Sequence, residues 1–420
     1  MAPAAAAVAA ATATPEPLYY VSARETDTFL SRLSTWEPAP TAPDDLGRSG
    51  FPSSLRSPLV WKGAEVSARE GEWLAVLSGQ DVEKIEDGLA HFRGLGLDPP
   101  AISPETFPLP ADLRARLDGI SATCHDGIGF VVLRGLDPEK YSEDDNALIF
   151  MGISAHVATV RAFQDRKRTQ VLCHVVNAAV NMAKEKVTSP GFTDGAMSFH
   201  NDEGEILALY VRDGAETGGR TQIASGWNLY NVLAGKRPDI IKKLAENWVL
   251  DSFQDYSEHP AWAAPCMHVK DGKVMFTFSR YPLTGFGPNR KRNKALPPVS
   301  EAQIEALNAV EVLAKQDAFA LPTRKGDVVY MNNLALLHGR EQFTEKQQQE
   351  QKDEKDKKAF TQRHLLKLCL RDPARSWAAP TSLLPVWERI YGNNRADGSR
   401  EEHCCLQYAP GQESLWARNG

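Results

Sequence analysis

His200 and Asp202 stand two residues apart in the segment SFHNDEGEILALY. In an extended chain, side chains at i and i+2 leave the same face. An imidazole and a carboxylate then converge on one point, as a metal site requires, while Asn201 and Glu203 face away. Taken alone, the pair fits a surface contact or a helix cap as well as half of a metal site. A third donor, His338, closes the apolar run YMNNLALLHGRE. A titratable ring at the end of such a strand is where the mouth of a barrel would place it, although a hydrogen-bonded rim histidine would look the same. Two histidines and one carboxylate form a facial triad, which leaves three adjacent positions on non-haem Fe(II) open for a cosubstrate and O₂. Zinc could take the same three ligands, but no HExxH segment supplies a glutamate base.

An oxidant-generating centre of this kind also needs an anion clamp. Arg363 lies on the next predicted strand, and a guanidinium can hold a carboxylate through two parallel hydrogen bonds. By itself it would pass for a surface ion pair. Arg371, at the far end of the same strand, is the competing choice. Gly218-Gly219-Arg220-Thr221 offers a tight turn followed by a hydroxyl at the start of a strand.

These residues must be positioned by strands. GIGFVVLRGL is a glycine-bounded, β-branched run that reads as a buried strand, and so do GDVVYMNN (326–333) and RHLLKLCLR (363–371). Lys273 to Ser279 alternates, with Val274, Phe276 and Phe278 on one face of a half-buried strand. Ala64 to His91 and Leu109 to Ile120 carry helical patterns. Ser300 to Gln303 forms a capping box, followed by Ile304, Leu307, Val310 and Leu313 at helical spacing. The Pro-, Ser-, Asp- and Gly-rich stretch 35–58 predicts an irregular surface segment. The segment TEKQQQEQKDEKDKK (344–358) has no apolar residue to bury, which predicts a solvated loop. Late strands between helices, without βαβ alternation, point to an α+β fold.

The chain has 420 residues, 42% of them hydrophobic and 24% charged, long enough to bury a core without staples. A formal charge of −6 argues against nucleic-acid binding by broad phosphate neutralisation. The longest apolar runs are too short for a membrane-spanning helix. Six scattered cysteines with no CxxC pair predict neither a zinc knuckle nor a disulfide framework, and reduced thiols suit a cytoplasmic protein. The Ala-rich start has no basic residue before Arg24, so a disordered leader is expected over residues 1–17.

Taken in order, GFVVLRGL, FHNDEGEILALY, GGRTQIASGWNLYNVL, GDVVYMNNLALLHGRE and RHLLKLCLRD resemble the TauD/TfdA family of Fe(II)/2-oxoglutarate-dependent oxygenases, within the clavaminate-synthase-like superfamily. The resemblance covers roughly residues 127–372. It implies a double-stranded β-helix (jelly-roll) core flanked by helices. It further implies that His200, Asp202 and His338 ligate iron, and that Thr221 and Arg363 bind the distal carboxylate of 2-oxoglutarate. Lys367 falls where relatives carry a basic residue for an anionic substrate, and on a strand it shares a face with Arg363. Arg340 and His174 are further candidates for substrate binding. Arg363 follows His338 by 25 residues, a longer interval than the family keeps, and the charged segment 344–358 accounts for the excess as a loop insertion. The expected reaction couples decarboxylation of 2-oxoglutarate by O₂, giving succinate and CO₂, to C–H oxidation of a small anionic metabolite. A degenerate barrel that only binds ligands and a zinc hydrolase are the alternatives. The expected layout is a helical and irregular extension over 18–120, an oxygenase domain over 121–372 and a C-terminal extension over 373–420. That extension carries enough apolar bulk to pack on the barrel or to build a homo-oligomer contact.

Overall fold

The computed structural model describes residues 17–37, 45–180, 183, 187, 189–253, 256–257, 259–287, 290–346 and 362–409. The expected leader, apart from residue 17, and most of the charged 344–358 stretch lie outside them. In chain order the first strands are β1 (Leu74–Val76), β2 (Phe130–Arg134), β3 (Val160–Arg161), β4 (Cys173–Val176) and β5 (Met197–His200). Next come β6 (Ile206–Asp213), β7 (Thr217–Gly218), β8 (Thr221–Ser225), β9 (Trp248–Leu250), β10 (Trp262–Ala264), β11 (Met267–Lys270) and β12 (Lys273–Phe276). The last are β13 (Phe319–Ala320), β14 (Val328–Asn332), β15 (Leu336–Arg340), β16 (Phe343–Thr344) and β17 (His364–Arg371).

Two sheets form the core. The larger runs β1-β2-β14-β6-β17-β3, with β4 also pairing with β17, and the smaller runs β13-β8-β15-β5. Every pairing in them is antiparallel except β1 with β2. Alternate residues of the central strands go to different cores. Val131, Leu133, Ala208, Tyr210, Val328 and Tyr330 pack in one cluster, while Phe130, Val132, Leu207, Leu209, Val329 and Met331 pack in the other. A sheet covered on both faces needs near-continuous apolar strands, which is why GFVVLRGL and GDVVYMNN read as runs and not as alternations. The first cluster is closed by helices Gly79–Leu95, Ala111–Asp126 and Glu143–Val157. In the last of these, every residue from Asn146 to Val157 is buried, as expected of a helix that is apolar all round. Its polar groups are matched: Asn146 accepts from the Tyr210 hydroxyl at 2.7 Å, and Ser154 meets the Tyr330 hydroxyl at 3.0 Å.

Helix Glu301–Gln316 packs on the small sheet, and its predicted capping box is present: Ser300 Oγ accepts from Gln303 N and Gln303 Oε1 from Ser300 N. Beyond β17, Trp377, Leu383, Trp387 and Ile390 join the larger core cluster. Three local expectations need correction. Leu74–Val76 is a strand and not helix, because it adds in parallel to the edge of β2. The described part of 35–58 is not confined to the surface: Leu46, Phe51 and Leu55 are buried, and Asn231 pins the Leu55 backbone from both sides. The strand beginning at Lys273 ends at Phe276 and is not half-buried, since Val274, Met275 and Phe276 are all covered. Among the described residues, no helix is long and apolar enough to cross a membrane.

Candidate active site

The register of the small sheet brings the two histidines together. β15 lies between β8 and β5, and His338 stands directly opposite His200. Cross-strand partners of this kind have Cβ atoms roughly 5 Å apart, and the two imidazole centroids are 4.1 Å apart. An irregularity of the β-bulge kind between His338 and Arg340 shifts the register, so that Arg340 stands opposite Met197. Asp202 follows in the loop after β5: Oδ1 is 3.9 Å from His200 Nε2, and Oδ2 is 4.0 Å from His338 Nε2. All three residues are buried, and one ligand atom from each lies within 4.8 Å of the others.

Neighbouring backbone fixes these donors. His200 Nδ1 bonds the Ser198 carbonyl at 2.9 Å. With that nitrogen protonated, Nε2 presents its lone pair to the centre, the arrangement a metal-binding imidazole needs. Asn333, from the turn between β14 and β15, donates to the carbonyls of Asp202 and Gly204 and accepts from Asp202 N. Asn201 donates to Asn333 O and Leu336 O and accepts from Phe278 N. The two asparagines lock the loop carrying Asp202 onto the loop preceding His338. Burial pushes His338 down to about 3, and the neighbouring His200 adds to the effect; His200 is also lowered, chiefly by burial. Burial would raise Asp202, but the Lys367 ammonium beside it holds it well below the usual carboxylate range. Two neutral imidazoles and an ionised carboxylate make a donor set that fits a divalent transition metal.

A cavity of about 60 Å³ extends from this cluster between the sheets, and Thr221, Arg340, Arg363 and Lys367 all line it. Thr221 opens β8 and sits opposite Arg340 on β15. Arg363 lies just before β17 and sends Nε and Nη2 to the Gly219 carbonyl at 3.2 and 3.0 Å. Among the described residues no carboxylate pairs with its guanidinium, and burial lowers it to about 9. Arg371 is elsewhere, 3.2 Å from Glu205 and over the Tyr391 ring. Of the three substrate candidates, Lys367 and Arg340 line the cavity and His174 does not. Lys367 faces the cavity, but its Nζ is 2.9 Å from Asp202 Oδ2, so its charge is already matched. Arg340 reaches the cavity wall, but its guanidinium nitrogens donate to the carbonyls of Pro190, Gly191, Thr193 and Gly195 and thereby hold that loop. His174 is not in the cavity. It is fully buried against His364, 2.9 Å away, and against the Cys405 carbonyl. Cys173, its neighbour, takes the place on the wall opposite Lys367, and nothing in the local pattern of the sequence singles it out.

A family model described as taurine catabolism dioxygenase TauD, TfdA family, matches residues 91–362. The chain belongs to the TauD/TfdA family. Within it, the chain is 33% identical over 342 residues to the taurine hydroxylase-like protein SAT17 of Stachybotrys chartarum, covering 80% of this chain and 85% of that protein. It is 22% identical over 337 residues to the FR-33289 synthase of Streptomyces rubellomurinus, covering 77% and 92%. Solved structures share the TauD/TfdA architecture at lower identity. Asparagine oxygenase in complex with Fe(II), 2S,3S-3-hydroxyasparagine and succinate superimposes with a TM-score of 0.53 at 17% identity, over 79% of this chain and 99% of that one. The non-heme iron oxygenase OrfP, in complex with Fe, succinate and (3R,4R)-dihydroxy-L-Arg, gives 0.51 at 12% identity, over 72% and 95%.

Proposed function

We propose that the chain is an Fe(II)/2-oxoglutarate-dependent oxygenase that oxidises a C–H bond of a small anionic metabolite, an amino acid or a derivative of one. His200, Asp202 and His338 would hold the iron, and Thr221 and Arg363 would seat the distal carboxylate of 2-oxoglutarate. One observation carries the reading: a buried His-Asp-His cluster and a buried arginine whose guanidinium has no carboxylate ion-pair partner among the described residues line the same cavity. When bound, the iron supplies the redox chemistry that couples O₂-driven decarboxylation of 2-oxoglutarate to oxidation of the substrate.

The protein's own share is orientation and electrostatics. Ser198 O fixes the His200 tautomer, and the Asn201–Asn333 lock fixes Asp202. Lys367 keeps Asp202 ionised inside the core. Arg363 offers a desolvated cation where a carboxylate would gain most from it. Hydroxylation, desaturation and oxidative cyclisation are all outcomes of such C–H oxidation. Six unpaired cysteines suit a reducing cytoplasmic compartment. The test is succinate release from 2-oxoglutarate with Fe(II), ascorbate and O₂. Turnover is expected in the unaltered chain and should fall to background in His200→Ala and Asp202→Ala; unchanged turnover in either variant rules out the assignment.

A further inference from the structure

A second cavity of about 460 Å³ touches the metal-ligand cluster at Asp202 and opens between β9–β12 and the C-terminal helix Leu384–Tyr391. It is far larger than the 60 Å³ cavity around Arg363 and falls in the range of roughly 300–1,000 Å³ typical of ligand sites. Much of its wall is apolar, with Phe253, Trp262, Pro265 and Trp387 among the lining residues.

The charged groups on that wall differ in how they are matched. Glu203 is held by Arg389 through two contacts, 2.9 and 2.5 Å. Asp251 accepts from Phe253 N, Asn293 N and the Tyr256 hydroxyl. His268 bonds Ser382 and Thr277, and burial lowers it to about 4, so it is neutral. Arg166 is the exception. Its Nη2 donates to the Ser252 carbonyl at 2.9 Å, and among the described residues no carboxylate pairs with it. Around it, the Tyr281 hydroxyl and, from beyond ion-pair distance, the Glu203 carboxylate favour its charge, while Arg290 and Arg389 oppose it. Among the described residues the chamber thus offers a cation lacking a carboxylate partner, while the three carboxylates on its wall, Asp202, Glu203 and Asp251, already have partners.

We propose that this chamber seats the organic substrate, and that the substrate is an organic acid with an apolar body and no free ammonium group, its carboxylate received by Arg166. The inference rests on the triad being the iron centre, because only then does a ligand beside Asp202 lie at the reacting site. A zwitterionic amino acid would bring an ammonium to a wall with no unmatched carboxylate among the described residues, which costs desolvation without return. An N-acylated amino acid, or an acid lacking the amine, avoids that cost.

Calorimetric titration of the full chain with three probes tests this: N-acetyl-L-phenylalanine, its neutral primary amide, and L-phenylalanine. The acid is expected to bind about tenfold or more tightly than either of the others, the margin of one charge-assisted hydrogen bond. Arg166→Gln should bring the acid-to-amide ratio close to one, and Arg166→Lys should restore part of it. Because the ratio is read within each variant, a general loss of fold cannot mimic the result. Equal binding of acid and amide, equal or tighter binding of phenylalanine, no binding of the acid, or an unchanged ratio in Arg166→Gln each overturns the proposal. Anaerobic addition of Fe(II) and 2-oxoglutarate reports the centre separately through its visible charge-transfer band. A band without acid preference overturns the chamber alone, whereas acid preference without a band overturns the iron centre and leaves an acid-binding pocket.

Discussion

Arg363 carries a guanidinium enclosed by protein, with the Gly219 carbonyl as its hydrogen-bond partner; the Glu345 carboxylate accepts from the Arg363 backbone N–H at 2.8 Å, and among the described residues no carboxylate forms an ion pair with the guanidinium. Holding a cation in that state is costly unless an anion completes it. Replacing it by glutamine removes the charge and leaves the volume nearly filled, so Arg363→Gln should raise KM for 2-oxoglutarate by roughly 10- to 100-fold, the worth of one or two charge-assisted hydrogen bonds. Initial rates of succinate formation against 2-oxoglutarate concentration measure it, and an unchanged KM would remove Arg363 from the clamp. Glu205 carries a second residue-level prediction. Burial raises it to about 7 despite Arg371 at 3.2 Å. A carboxyl whose folded value lies above its unfolded value keeps its proton in the native state after the unfolded chain has released it. Stability is therefore lost as pH rises from the unfolded value, about 4.5, to about 7, and is level above that. Glu205→Gln should be increasingly more stable than the unaltered chain across that window, by up to a few kcal/mol, since each tenfold change in proton affinity is worth roughly 1.4 kcal/mol. Thermal unfolding at several pH values reads this, and a pH-independent difference between the two chains would refute it. Residue types and spacing raised His200, Asp202 and His338 as candidates beside blander readings, and the family resemblance carried by the ordered blocks gave them, Thr221 and Arg363 their roles. His174 lies off the cavity because one residue of register decides which face a strand side chain takes: Cys173 pairs with Lys367 and lines the cavity, so its neighbour does not. The partner of Lys367 was equally hidden, since nothing local to β17 announces Asp202.

At the level of elements, the turn between β7 and β8 positions Arg363, the proposed clamp. Gly219 has φ +70°, and a Cβ there would lie 3.0 Å from Arg363 Nε. Gly219→Ala therefore meets both the left-handed backbone penalty, about 1–2 kcal/mol, and the guanidinium it would displace. Both the melting temperature and the affinity for 2-oxoglutarate should fall. Gly235→Ala is the control. It lies in helix Gly226–Lys236 with open space around it, so it should be neutral or stabilising by up to about 1 kcal/mol. Equal behaviour of the two variants would mean that the turn does not govern the clamp. Strands buried on both faces were legible because continuous apolar runs need only local sequence to be seen. β1 was not, because a three-residue edge strand between two helices is made by its partner β2 and not by its own pattern. The packing of Phe51 and Leu55 likewise depends on helix Gly226–Lys236, far away in the chain.

Over the whole molecule, residues near the start of the chain support β5, the strand that carries His200. Tyr19 O accepts from Ser198 Oγ at 2.9 Å and from Arg280 Nε at 3.0 Å, and the Tyr19 hydroxyl accepts from Ser198 N. Arg280, almost wholly buried, also donates to Leu18 O and to Asn308 of helix Glu301–Gln316. That helix in turn supplies Glu311, whose carboxylate accepts from Phe199 N. Ser198 and Phe199 are thus gripped from two directions, and Ser198 O is the group that holds the His200 tautomer. The segment around Tyr19 carried no signal of this role, because an exposed-looking stretch of tyrosines beside an Ala-rich start gives no hint of a partner some 180 positions on. Arg280→Met fills the space but releases the carbonyls of Leu18 and Tyr19. It should lower the melting temperature and, because the strand bearing His200 loosens, weaken Fe(II) affinity by roughly 10- to 100-fold, as losses behind metal ligands commonly do. Lys270→Met, an exposed change of similar size on β11, should move neither. Fe(II) titration under anaerobic conditions, read beside thermal unfolding, separates two cases. If Arg280→Met lowers the melting temperature yet binds Fe(II) as tightly as the unaltered chain, the N-terminal segment stabilises the fold without orienting the ligand.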